Sequence, residues 1–245
     1  ISSYAALACI AVQSNQNDQH GGQSIVNFDY GMAPGIAKTY HKRYTSNLQK
    51  AIELYTGSDA ISEDNLKELR KSLIADGKTL RMGDHDEYQK CEAEELKKLG
   101  VPEDIITKAQ KFAADKALSE TDRAAYQAME AFIHNLNTMN SRAGAQTPFS
   151  SINYGMDTSP EGRMVMKNVL LANEAGLGNG ETPIFPIQIF RVKEGINYNP
   201  GEPNYDLFKL ACRVSAKRLF PNFSFVDAPF NLKYYKGTPE TEIAY

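Results

Sequence analysis

Thr147-Pro-Phe-Ser-Ser-Ile-Asn-Tyr154, Thr158-Ser-Pro-Glu161 and Pro183-Ile-Phe-Pro-Ile-Gln-Ile-Phe-Arg-Val192 decide what kind of fold this chain adopts. The first and third are short, rich in aromatic and β-branched residues, and bounded by proline or glycine, which predicts strands. Between them, Thr158 to Glu161 has the form of a capping box with proline in the first turn, predicting a helix that runs to Gly176. Asn204 to Phe220 continues the pattern as a helix and Phe223 to Asp227 as a short apolar strand. Strand, helix, strand, helix, strand at these separations implies βαβ units and a largely parallel sheet or barrel.

Upstream the chain is helical. Ala5, Ala8, Cys9 and Val12 recur at helical spacing from Ser2 to Gln13, in a helix ending before Gly21-Gly22. Pro34 is expected to open the next helix, whose run from Gly35 to Tyr55 carries Ile36, Tyr40, Tyr44, Leu48 and Ile52 every fourth residue. From Thr56 to Thr121 the composition turns to Lys, Glu and Asp, with amphipathic helices at Ser62–Ala75, Asp86–Leu99 and Pro102–Ala117. This stretch reads as a helical insertion, and solvated helices of no separate function account for it. A further helix is expected from about Asp122 to Ser141, with His134, Asn137, Thr138 and Ser141 along one polar strip. The expected division is therefore 1–55, N-terminal helices of the core; 56–121, charged helical insertion; and 122–245, the polar-faced helix, the loop after it and the first βα units.

With 245 residues, 42% hydrophobic and 10% aromatic, the chain can bury a substantial core. A formal charge of −3 gives no electrostatic reason to bind nucleic acid nonspecifically. Cys9, Cys91 and Cys212 lie far apart without a C-x-x-C pair, arguing against a disulfide framework or a zinc site within these residues and for a reducing cytoplasm. No run approaches the roughly twenty apolar residues that a membrane span requires. Ile1 is not a starter methionine and Glu240 to Tyr245 lacks the character of a tail, so both ends are expected to be cut from something longer.

Three loops could carry chemistry. In His20-Gly21-Gly22-Gln23-Ser24 a glycine pair lets backbone N–H groups approach a ligand, although a plain helix-terminal turn uses the same residues. Gly176-Leu-Gly-Asn-Gly180 follows a helix and precedes a strand, the reverse of a dinucleotide fingerprint, and is an αβ connection. Ser141-Arg142-Ala143-Gly144-Ala145-Gln146 places an arginine and a glutamine around a small, flexible tetrad, which suits either a mobile loop that reaches a base or phosphate or a simple connector. No Ser-His-Asp, paired-carboxylate or HExxH constellation emerges, and His20, His41, His85 and His134 lack metal-like spacing.

Longer matches narrow the choice. The run Ser141 to Gly155 with Thr158-Ser-Pro-Glu-Gly-Arg163, together with Gly176-Leu-Gly-Asn-Gly-Glu-Thr-Pro-Ile-Phe-Pro186, Asn204-Tyr-Asp-Leu-Phe-Lys-Leu-Ala211 and Lys217-Arg-Leu-Phe-Pro-Asn222, resembles the anaerobic, glycyl-radical ribonucleoside-triphosphate reductases. Ile133-His-Asn-Leu-Asn-Thr-Met139 and His20-Gly-Gly-Gln-Ser24 agree in the same order, and the likeness is weakest over 56–121.

The resemblance implies part of a ten-stranded α/β barrel with a helical insertion. It implies an internal fragment, inactive alone, of a cytoplasmic enzyme that makes deoxyribonucleotides for DNA replication. In that family a radical-SAM activating enzyme with an iron–sulfur cluster installs a glycyl radical, which generates a cysteine thiyl that attacks the ribose, and formate serves as reductant. The radical cysteine is expected just after Tyr245, and the radical glycine, the C-terminal structural zinc and the N-terminal ATP-binding cone lie outside these residues; Cys9, Cys91 and Cys212 are not promoted to radical duty. By the same resemblance Ser141 to Gln146 would be the loop relaying a deoxynucleotide effector's identity to the substrate base. Gly21, Gly22, Gln23, Ser150 and Asn153 would lie on the ribonucleoside-triphosphate side, and a homodimer with allosteric ATP and deoxynucleotide effectors is expected. A non-catalytic nucleotide-sensing module and a pyruvate formate-lyase-like glycyl-radical enzyme are the competing readings.

Overall fold

A computed structural model describes residues 1–19, 21–57, 61–140 and 146–233. Its elements are α1 (Ser2–Asp18), β1 (Gln23–Ile25), α2 (Phe28–Thr56), α3 (Glu63–Ala75), α4 (Asp86–Lys98), α5 (Glu103–Thr138), β2 (Ser150–Tyr154), α6 (Pro160–Ala175), β3 (Ile187–Val192), α7 (Tyr205–Arg218), β4 (Asn222–Phe225) and α8 (Pro229–Leu232). The strands form one parallel sheet in the order β1-β2-β3-β4. The expected βαβ succession is therefore present as a mixed α/β fold; a ten-stranded barrel is not seen, since four strands make up this sheet of described residues.

The chain divides into two compact units, Ile1–Ile36 with Ala124–Tyr245, and Ala37–Arg123. Helices α2 and α5 each pass from one unit into the other. In the first unit the sheet's central strands are buried on both sides: β2 is buried at every position and β3 at all but its first. Strand alternation and the register put Ile152, Tyr154, Phe190, Val192 and Phe223 on one face. Phe208 of α7 stacks on Phe190 and meets Phe223 edge to face, so that face carries α7. The opposite face presents Ser24, Ser151, Asn153, Arg191 and Ser224 beside Ile187, Ile189 and Asn222. Parallel sheets are ordinarily apolar on both faces. This one is mainly apolar on one, where Gln23, Ser150 and Gln188 are the polar exceptions, and mainly polar on the other.

Several sequence expectations shift for identifiable reasons. Strand β1 was not expected: it has three residues, too few to display an alternation, and exists through its pairing with β2. Helix α2 begins at Phe28, and Pro34 lies inside it rather than at its first turn. Proline in the interior removes one amide donor, so this helix start relies on packing, including the fully buried Phe28 against Phe132 of α5. The helices expected at Pro102–Ala117 and Asp122–Ser141 are one helix, α5, and the boundary drawn at 121–122 falls within it. No glycine or proline interrupts it, Asn47 donates to Glu120 at 3.1 Å, and Thr121 is buried, so the chain runs through the expected break before Asp122 as ordinary helical turns.

The cap of α6 also moves by one residue. Ser159, not Thr158, is the N-cap: its Oγ accepts from the Gly162 amide at 3.0 Å and its ψ is 149°. A residue before proline is driven to that extended ψ, and proline is best placed at the first helical position, so Pro160 selects Ser159. Glu161 then stands too early to close a capping box. At the other end of α6, Arg218 donates to the carbonyls of Glu174, Ala175 and Gly180, which fixes the Gly176 to Gly180 connection as a structural αβ loop. Among the described residues no helix is long and apolar enough to cross a membrane.

The cap assignment has a direct check. Ser159→Ala should lower unfolding free energy by about 1 kcal/mol in urea denaturation, while Thr158→Ala should lower it by less than half of that. The reverse order would restore the Thr158 cap.

Candidate functional site

Parallel strands bring their loops to two common edges, and residues of interest gather at both. At the amino edge, Gly21, Gly22 and Gln23 enter β1 beside the chain that enters β2. The Gln23 amide donates to the Phe149 carbonyl at 2.9 Å, and Gln23 is in register with Ser150. Gly21 has φ +102°, a conformation that favours glycine, with open space where a Cβ would stand. A Cβ at Gly22 would lie 2.8 Å from Cδ1 of the exposed Phe149, whose ring would have to shift to admit it. Gln146 is exposed on the approach to β2. Ser141, Arg142, Ala143, Gly144 and Ala145 lie outside the described residues.

The expected substrate-side residues do not all converge. Ser150 and Asn153 are three apart on β2 and therefore point to opposite faces. Ser150 is buried with its hydroxyl on the Pro148 carbonyl at 3.2 Å. Asn153 is fully buried on the polar face, level with Ile189. Helix α5 ends at Thr138, and of the expected polar strip Ser141 lies outside the described residues; Asn137 accepts from the Ile184 and Phe185 amides and donates to the Phe185 carbonyl, while the Thr138 hydroxyl donates to the His134 carbonyl.

At the carboxyl edge the organiser is Asp29, which the sequence reading missed. Its carboxylate is fully buried at the start of α2. Oδ2 accepts from three consecutive amides, Gly155 at 2.9 Å, Met156 at 2.9 Å and Asp157 at 3.0 Å. Oδ1 accepts from the Tyr30 amide at 3.1 Å and lies 3.8 Å from Nη2 of Arg191, which is also buried. Gly155 sits at φ +129°, where a Cβ would fall 2.5 Å from the Arg191 carbonyl oxygen, so β2 can leave the sheet this closely to β3 only with glycine there. Asn197 donates to the Gly155 and Arg191 carbonyls, and Asn204 to those of Gly155 and Asp157. The exits of β1, β2 and β3 are thus tied into one hydrogen-bonded knot.

Electrostatics follow from that burial. Desolvation holds the Asp157 carboxyl above its usual range, with the nearby Asp29 charge adding to it and bonds from Ser159 opposing it. Burial, and then the Asp29 charge, push the Tyr154 phenol well above its ordinary value, so it stays a neutral donor to Gln188 at 2.7 Å. None of the three thiols lies on a strand: Cys9 is buried in α1, with burial raising it to about 11, Cys91 is in α4, and Cys212 is exposed on α7. Among the described residues no group of three or more His, Cys, Asp or Glu side chains could hold a metal ion. What these residues offer is recognition: a polar, hydrogen-bonding sheet face carrying one buried guanidinium, with a glycine turn at its entry.

Removing one member of the knot should be costly. Asp29→Ala leaves three buried amides without their acceptor and removes a negative charge from beside the buried Arg191 guanidinium, and should destabilise by about 3–5 kcal/mol in chemical denaturation. Asp206→Ala, which breaks the exposed 2.8 Å pair with Arg163, should cost less than about 1 kcal/mol. Equal effects would show that Asp29 is not the organiser.

Comparison with known proteins agrees with the sequence likeness. The sequence model of a family described as anaerobic ribonucleoside-triphosphate reductase matches residues 1–244. Curated relatives bearing that name include the protein of Enterobacteria phage T4, 40% identical over 111 residues, or 45% of this chain and 18% of the relative. Those of Salmonella typhimurium and Escherichia coli are each 36% identical over 107 residues, or 43% of this chain and 15% of the relative. The matched stretch thus spans less than a fifth of these relatives' length. Since the family match runs through both units and every strand of the sheet, the chain belongs to the anaerobic ribonucleoside-triphosphate reductase family.

Proposed function

We propose that this chain supplies the effector-reading and substrate-side part of the catalytic subunit of an anaerobic ribonucleoside-triphosphate reductase, an oxidoreductase converting ribonucleoside triphosphates to deoxyribonucleotides by glycyl and thiyl radical chemistry. The observation that carries this reading is the family match across residues 1–244. The polar sheet face supports it, because a parallel sheet that buries Asn153 and Arg191 where apolar side chains are usual is suited to a polar ligand.

In this reading the chain's own residues recognise and orient, and the radical chemistry is supplied elsewhere in the parent protein. Gly21 and Gly22 let backbone amides approach the nucleotide, Gln23 and Asn153 add polar contacts, and Ser150 secures the start of β2. The loop of Ser141, Arg142, Ala143, Gly144, Ala145 and Gln146 takes one conformation with each deoxynucleotide effector, changing the hydrogen-bond partners that Arg142 and Gln146 offer the substrate base. The coupling can be no larger than the effector's differential affinity for those conformations. The radical glycine, its radical-SAM activating enzyme, formate as reductant, the structural zinc and the cysteine that forms the thiyl belong to the remainder of a cytoplasmic, homodimeric parent.

The test is made in the parent reductase. Arg142→Ala and Gln146→Ala should each change the effector-dependent ratio of reduced bases by at least about fivefold, the lower end of ordinary allosteric coupling, with a smaller change in total turnover. Ratios that follow each effector unchanged would refute the loop assignment, and absence of any ribonucleotide reduction by the unaltered parent would refute the enzyme assignment.

A further inference from the structure

The second unit encloses a carboxylate where a helical bundle would be expected to place an apolar side chain. Glu92 of α4 is 3% exposed. Around it stand one group from each of three other helices and one from its own. Tyr44 of α2 donates to Oε2 at 2.7 Å and Gln110 of α5 donates to the same oxygen at 2.9 Å. Tyr88, one turn earlier on α4, and Arg70 of α3 both favour the charged form of the carboxyl. Among the described residues no Lys, Arg or His makes an ion pair with Glu92 within 4.0 Å.

The nearby cation is turned elsewhere. Nη2 of Arg70 donates to Nδ1 of His41 at 2.5 Å, which fixes His41 as the neutral tautomer whose Nε2–H donates to the Leu80 carbonyl at 2.6 Å. Gln89 completes the shell by donating to the Tyr44 hydroxyl at 3.3 Å, and Gln110 reaches the Gln89 carbonyl at 2.8 Å. A carboxylate charge here is held by the Tyr44 phenol and the Gln110 amide, both neutral, in a site closed to water. Isolated buried charge is expensive, and the cheapest relief is a proton.

We propose that Glu92, a buried carboxyl with neutral hydrogen-bond donors and no ion-pair partner among the described residues, is a proton-controlled lock of the helical unit, taking up a proton and thereby tightening the packing of α2, α4 and α5. The geometry makes the uptake local. Oε2 already receives two donors, so the proton goes to Oε1, and Tyr44 and Gln110 keep their places while bonding the neutral acid less strongly than the carboxylate. Burial is the largest influence on this carboxyl and raises it from 4.5 to about 7, against smaller opposing effects from Tyr44, Gln110, Tyr88 and Arg70.

The sign follows. A raised folded-state value means that the folded unit holds the proton more tightly than the unfolded chain, so Glu92 stabilises most below about 4.5 and loses that contribution as pH rises through about 7. His41 works the other way: burial and then the Arg70 charge lower it, so its contribution is present above its ordinary value of 6.5 and fades as pH falls. A bare pH profile of the protein mixes the two. Comparison with a variant that lacks only the Glu92 proton separates them.

Glu92→Gln is that variant, because an amide reproduces the shape and bonding of the protonated acid. Hydrogen–deuterium exchange of the full chain, read on peptides around Tyr44, Glu92 and Gln110 and corrected for intrinsic rate, should show the opening constant of the unaltered protein falling relative to that of Glu92→Gln by about tenfold between pH 8 and pH 6. Parallel profiles overturn the proposal. So does failure of Glu92→Gln to fold, since the substituted side chain mimics the state held to be the tighter one. A second readout needs no Glu92 variant: the carboxyl carbon of isotopically labelled Glu92 should titrate near neutrality, and Tyr44→Phe, which removes a donor to the charged form, should move that midpoint upward. A midpoint in the ordinary glutamate range, or one unmoved by Tyr44→Phe, overturns it equally.

Discussion

One buried carboxylate holds the sheet's carboxyl edge together. Asp29 receives three successive amides from the end of β2, an amide from its own helix, and faces the guanidinium of Arg191 on β3. Every other feature of that edge follows from its position. Gly155 must lack a side chain because β2 turns against the β3 backbone there, and Asn197 and Asn204 take up carbonyls that the turn exposes. Charged groups this deep are tolerated only when hydrogen-bonded and paired. The expense of assembling them suggests that the edge is built to hold a shape rather than merely to close a core.

The same economy separates the sheet's two faces. The aromatic face, with Phe190, Phe208 and Phe223 in mutual contact, supplies the ordinary adhesion of a βαβ unit. The polar face contributes little adhesion of that kind. In the helical unit a different principle operates: Glu92, Tyr44, Tyr88 and Gln110 form a buried polar core inside a charged exterior, and its state depends on a proton rather than on a ligand.

Much of the fold is legible in the chain. β2, β3, α6 and α7 follow from aromatic and β-branched runs, a proline-led helix start and the spacing between them, since those signals are local. What escaped is non-local. β1 has no periodicity of its own and is defined by its partner strand; α5 runs on across Thr121, which is buried, beside Asn47 of another helix; Ser159 displaces Thr158 as cap because Pro160 constrains its predecessor. Asp29 was invisible for the same reason as β1, because its role appears only once β1 and β2 lie side by side. Arg191 left a usable trace: a single charge inside the strand Ile-Gln-Ile-Phe-Arg-Val is an anomaly that merits a functional question. Of the residues proposed from sequence, Gly22, Gln23 and Ser150 meet at the amino edge, while Asn153 belongs to the opposite face from Ser150.

The central claim is that the glycine turn at residues 21–22 and the segment 141–155 face one nucleotide-binding region. Photo-crosslinking the intact protein with azido-substituted deoxynucleoside and ribonucleoside triphosphates, followed by peptide mapping, tests it directly. The account predicts labelled peptides from 21–24 and 141–155, suppressed by an excess of the unmodified nucleotide. Labelling confined to residues 56–121, or labelling that unmodified nucleotide does not suppress, would contradict it.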